Sequence, residues 1–121
     1  DMVTNGREVN ITLNVDENCD FDMENDAVGT RDMTLSDELD EWVLENAFKG
    51  NGEVRSGGNG LNVYMRVPVY DPDTGRPRSI KSETGKLRRF ASGLLKDKGY
   101  TVSEKAASGQ YIQLLIQNSR E

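Results

Sequence analysis

Apolar side chains recur at every second position in some stretches of the chain and at every third or fourth in others, which separates strands from helices. Val9, Ile11, Leu13 and Val15 alternate with Asn10, Thr12 and Asn14, predicting a strand over residues 7–16 with one face on a core. Leu61, Val63, Met65, Val67 and Val69 repeat the pattern against Asn62, Tyr64, Arg66 and Tyr70, and Pro68 places an edge or irregularity at that strand's end. Residues 100–105 read as a further strand, 106–110 as its turn and 111–117 as the last strand, with Ile112, Leu114 and Ile116 on one side.

Leu35, Leu39, Trp42, Val43 and Ala47 are spaced as the buried stripe of a helix, with Phe48 packing at its end. Thr34 or Ser36 caps it, since Asp37 follows Thr34 by three residues and the first turn is acidic; Gly50 ends it. Trp42 is spaced as a core anchor; exposed among acidic residues it would instead be an interface hot spot. A second helix begins at Ser82 or Glu83, turns Leu87, Phe90, Ala91, Leu94 and Leu95 inward and stops at Gly99. Asp71-Pro72-Asp73-Thr74-Gly75 is a turn, and residues 76–81 return as a short strand weakened by Pro77. The glycine-rich residues 50–60 form a loop or short irregular hairpin, with an extra strand near residue 54. Residues 17–33 have no apolar period and read as a mobile acidic loop, long for a compact domain.

The resulting order, β-α-β-β-α-β-β, belongs to one α+β domain over residues 1–121 with a frayed tail at 118–121. A two-layer sandwich buries these faces: a mixed or antiparallel sheet with both helices on one side. The split β-α-β, ferredoxin-like arrangement with an extra C-terminal hairpin strand is the expected form, and a different strand order is the alternative.

Composition narrows the chemistry. The chain has no histidine, which removes the commonest neutral-pH general base and the commonest zinc ligand. Its one cysteine, Cys19, allows no intramolecular disulfide, and Glu17, Asp20 and Asp22 around it oppose thiolate formation. No apolar run approaches the roughly 20 residues of a membrane span, and no signal-peptide pattern precedes the first strand. The expectation is a cytoplasmic, non-catalytic protein with no membrane partner, no metal and no cofactor.

Several motifs fail on their own terms. Gly75 to Ser82 has Ile80 where a phosphate loop needs its second glycine, and Gly85-Lys86 is followed by Leu87 rather than a hydroxyl. The glycines at 50–60 follow a helix, whereas a dinucleotide fingerprint follows a strand. Asp20, Asp22, Glu24 and Asp26 offer oxygens of the kind calcium accepts, but the turn glycine is missing and Arg31 stands at the twelfth position. No strand carries the isolated carboxylate that burial would tune for glycosidase chemistry.

Charge changes the picture most. The net charge of −6 conceals a segregation: residues 16–45 hold twelve acidic groups and one basic, residues 76–98 eight basic and two acidic. Asp37, Glu41 and Glu45 repeat at four-residue spacing, and each like pair costs a few tenths of a kcal/mol in an isolated helix. One explanation is internal, the acidic face of one helix lying beside the basic face of the other. Another is a protein partner with a basic surface, held by Asp20, Asp22, Glu24, Asp26, Asp37, Asp40, Glu41 and Glu45; this makes the chain an interaction module of inhibitor or adaptor type. A third is a nucleic-acid module in which Arg76, Arg78, Lys81, Lys86, Arg88 and Arg89 contact phosphates and Tyr64 or Tyr70 stacks on bases. The last requires the tyrosines and the cations to share a face. A homodimer pairing opposite charges or an open sheet edge is compatible with either.

Overall fold

The computed structural model describes residues 6–47, 50–57, 60–68, 70, 74–77 and 80–119, with the backbone alone at 80–83. Phe48, Val69, Asp71, Pro72, Asp73 and Arg78 lie outside the described residues, as does the Lys81 side chain. Strand β1 (Arg7–Val15) leads into the acidic loop, which contains a two-residue ribbon, β2 (Ala27–Val28) with β3 (Met33–Thr34). Helix α1 (Leu35–Asn46), the hairpin β4 (Gly52–Gly57) and β5 (Gly60–Val67), helix α2 (Ile80–Leu95), and the hairpin β6 (Tyr100–Ser108) and β7 (Tyr111–Asn118) follow. The large sheet has the order β4-β5-β1-β7-β6. β1 runs parallel to β7, and its other pairing, with β5, is antiparallel, so the sheet is mixed.

The register puts one residue set on one face. Ile11 stands opposite Val63 and Ile112, and Leu13 opposite Leu61 and Leu114, so the alternation of all three inner strands is in phase. Leu35, Leu39 and Val43 from α1, and Leu87, Ala91 and Leu95 from α2, join these residues in a single buried cluster. Both helices therefore lie on the same side. They meet where Trp42, half-buried, stacks on Phe90 with ring centroids 5.9 Å apart.

Three expectations need correction, and one is filled out. Among the described residues, the return strand expected at 76–81 shows one bridge, Tyr70 with Pro77; proline cannot donate to a ladder, and α2 has begun by Ile80, ahead of Ser82. The extra strand near residue 54 is present and runs over 52–57 at the sheet edge; at its start α1 approaches so closely that a Cβ at Gly52 would run into Val43 Cγ1. β6 continues to Ser108 across a bulge at Lys105, where the register shifts between Glu104 and Ala106. The acidic loop is fastened rather than loose: Phe21, Met23 and Val28 are buried in the core, and the Phe21 ring packs on Tyr100 at 5.1 Å.

Candidate functional site

Helix α1 separates its faces sharply. Thr34 caps it, its Oγ1 accepting the Asp37 N–H at 3.3 Å, and Leu35, Leu39, Val43 and the C-cap Ala47 point inward. Asp37, Asp40, Glu41 and Glu45 are exposed on the outer side. Leu44 stands among them with 65% of its surface open. Helical spacing puts Asp40 and Glu41 on the turn before it, with Glu45 adjacent. An apolar side chain framed by carboxylates is thus presented outward from a rigid element.

One cation tempers that surface from within. Arg31, in the turn between β2 and β3, bonds the buried carboxylate of Glu38 through Nη2 and Glu41 Oε1 at 2.9 Å through Nη1. Those two carboxylates hold the guanidinium more firmly protonated than usual. The same turn is tied to α2 by the Gly29 N–H, which donates to Leu94 O at 3.3 Å. At Asp40, partial burial and the nearby charge of Asp37 raise the pKa above the usual aspartate value.

The loop carboxylates divide by role. Asp22 accepts from Asn25 Nδ2 at 2.8 Å and from the Glu24 N–H at 3.0 Å, which holds its pKa below the ordinary value. Asp26 Oδ2 accepts the Asp22 N–H at 3.0 Å, so both residues shape the turn. Asp20 and Glu24 are exposed. Beside them a concavity of about 470 Å³ has Val15, Cys19, Phe21, Met23 and Leu61 in its walls and Asp16, Glu17, Asp22 and Glu24 among its polar lining.

Among the described residues, the cations of α2 lie apart from Tyr64, whereas Tyr70 is bridged beside Arg76. Lys86 and Arg89 are exposed and Arg88 half-buried on α2, in the helix layer. Tyr64 occupies the opposite face of the sheet, with the Arg55 guanidinium 5.5 Å from its ring. Tyr70 is exposed at its bridge, and Arg76 is exposed in the turn, its N–H donating to Thr74 Oγ1 at 3.3 Å.

Sequence reading missed three features. Leu44 falls out of phase with the inward stripe, and that phase error is itself the signal. Glu38, at 2% exposure, was indistinguishable from its exposed acidic neighbours without Arg31 in view. Tyr111 lies in the same row of the sheet as Tyr64, a pairing visible only from the strand order.

Among the described residues, no group of three or more His, Cys, Asp or Glu side chains is placed to hold a metal ion, and no helix is long and apolar enough to cross a membrane. The fold and its surfaces define a small α+β domain with two helices and a mixed sheet. The chain belongs to the family described as Domain of unknown function (DUF6175), which matches residues 7–116, from the start of β1 into β7. Neither a curated protein nor a solved structure matches it.

Proposed function

We propose that this chain is a non-catalytic protein-binding module that captures a basic, amphipathic surface on its partner, in the manner of an inhibitor or adaptor acting in the cytoplasm. The exposure of Leu44 within the acidic face of α1 carries this reading. An apolar anchor with carboxylates on the preceding turn combines desolvated contact with electrostatic steering. The crowding of Asp40 by Asp37 supports it, since a lysine or arginine arriving there relieves like-charge repulsion. Asp20 and Glu24 extend the acidic field, whereas Asp22 and Asp26 act through the turn they shape. The same reading takes the sheet as ferredoxin-like in its first half, β1-α1-β4-β5 being a split β-α-β unit, with the C-terminal hairpin adding β7 beside β1.

The test is titration of labelled protein with a synthetic amphipathic lysine-leucine peptide, followed by amide NMR at about 50 and 200 mM salt, conditions between which charge steering weakens. Shifts centred on residues 37–45 that weaken with salt, and at least tenfold weaker binding by Leu44→Ala, are expected. Peptide binding unaffected by Leu44→Ala combined with Glu45→Lys overturns the proposal.

A further inference from the structure

The sheet face away from the helices carries a second, chemically different surface. Pairing across the five strands aligns Glu53, Tyr64, Asn10, Tyr111 and Ser108 in one row. The next row holds Arg55, Asn62, Thr12, Gln113 and Ala106. Neither helix lies over these rows. Amides, hydroxyls and two aromatic rings dominate their centre.

The first row borders a concavity of about 410 Å³ lined by Glu8, Asn10, Tyr64, Ser108, Gln110 and Tyr111. That volume lies within the range of small-ligand sites. Asn10, half-buried in that lining, has its Oδ1 withdrawn from solvent and without a hydrogen-bond partner among the described residues. A carbonyl oxygen withdrawn from water without a donor is uncommon and costly in a folded protein. Tyr111 is 39% exposed, and its hydroxyl and Thr12 Oγ1 are 3.2 Å apart, so its position is held from the neighbouring row.

The carboxylate in the lining disfavours an anionic ligand at this spot. Glu8 is the charged residue of the lining. Nearby, Arg55 pairs with Glu53 at 2.6 Å, and Arg66 donates to the Gly6 carbonyl at 3.1 Å. With a carboxylate, side-chain amides and hydroxyls in the lining, the fitting ligand is a neutral one that brings its own hydroxyls. Tyr64 and Tyr111 flank Asn10 at two strand spacings, about 10 Å, which is close to the span of two linked pyranose rings. An apolar sugar face packs on the exposed Tyr111 ring, the Arg55 guanidinium over Tyr64 donates to hydroxyls of the next sugar, and the Glu8 carboxylate accepts from ring hydroxyls.

We propose that the Tyr64–Asn10–Tyr111 row is a binding site for a neutral oligosaccharide lying across the strands. This proposal is independent of the acidic face of α1, from which the sheet separates it.

The experiment is isothermal titration of the full chain with cellohexaose, laminarihexaose, xylohexaose, mannohexaose and maltohexaose, each at up to millimolar concentration, with amide NMR to locate any binding. At least one is expected to bind, with shifts at residues 8–12, 62–66 and 108–113, and Tyr111→Ala is expected to weaken it at least tenfold. Tyr111→Phe, which keeps the ring, is expected to retain most of the affinity, and Leu44→Ala to leave it unchanged. Five silent titrations overturn the proposal. So does binding that survives Tyr111→Ala, or that maps to α1 instead. Loss of the native amide spectrum in Tyr111→Ala shifts the comparison to Asn10→Ala, for which unchanged affinity is likewise overturning.

Discussion

At the scale of single residues, the acidic stretch is a set of individual electrostatic situations rather than a uniform charge. Glu38 is buried with its countercharge supplied by Arg31, so Arg31→Ala leaves a carboxylate in the interior without its cation. The expected outcome is a lower urea midpoint, partly recovered when Glu38→Leu is added, because removing both members takes the desolvated charge away. Asp40 has the opposite problem. Its pKa is raised by partial burial and by Asp37, so its proton is bound more tightly in the folded chain than in the unfolded one. It therefore favours folding at low pH and loses that contribution as pH rises through its folded pKa. Asp40→Asn should accordingly raise the melting temperature slightly at pH 7 and leave it nearly unchanged at pH 3, as scanning calorimetry would show. Asp22 titrates below the ordinary value because Asn25 and the Glu24 N–H bond its carboxylate. In Asn25→Ala, carboxyl-carbon NMR should show that pKa moving upward.

At the scale of elements, α1 is held to the sheet by close approach as much as by area. Gly52 has Met65 Cβ 3.1 Å from where its own Cβ would stand, and Val43 nearer still. Gly52→Ala is therefore expected to cost about 1–3 kcal/mol in denaturant unfolding by overpacking. On the same helix, Leu44→Ala should change stability by less than about 0.5 kcal/mol, because the side chain is exposed and both residues are good helix formers. The strands with strict alternation, the two inward helix stripes and the Thr34 cap were legible in sequence, since each is set by local period and local chemistry. The edge strand at 52–57 was legible only in part, as a strand near residue 54, because Gly52 answers to a helix packed from outside the segment and local propensity understates the strand. Leu44 was legible only as an off-phase leucine. The Tyr64–Asn10–Tyr111 row was illegible, because it joins three strands whose neighbour relations depend on the strand order. The separation of α2's cations from Tyr64 was hidden for the same reason.

At the scale of the whole molecule, the most distant pairing is also the most central. β7 contributes Ile112, Leu114 and Ile116 to the core and covers the second edge of β1. Leu114→Ala should cost about 2–5 kcal/mol, in contrast with the small effect at Leu44, and a chain cut before Tyr111 should show no cooperative unfolding by circular dichroism. The parallel sense of the β1–β7 pairing has a mechanical meaning as well. Asn10 at the start of β1 meets Tyr111 at the start of β7, and Val15 meets Ile116, so the chain enters β1 at one end of the sheet and leaves β7 at the other. Tension applied through the two ends pulls these neighbours in opposite directions along their lengths, loading their hydrogen bonds together in shear rather than unzipping them one after another. A ladder loaded in this way shares the force among its bonds, with the α1 face and the open sheet face both turned sideways to the direction of pull.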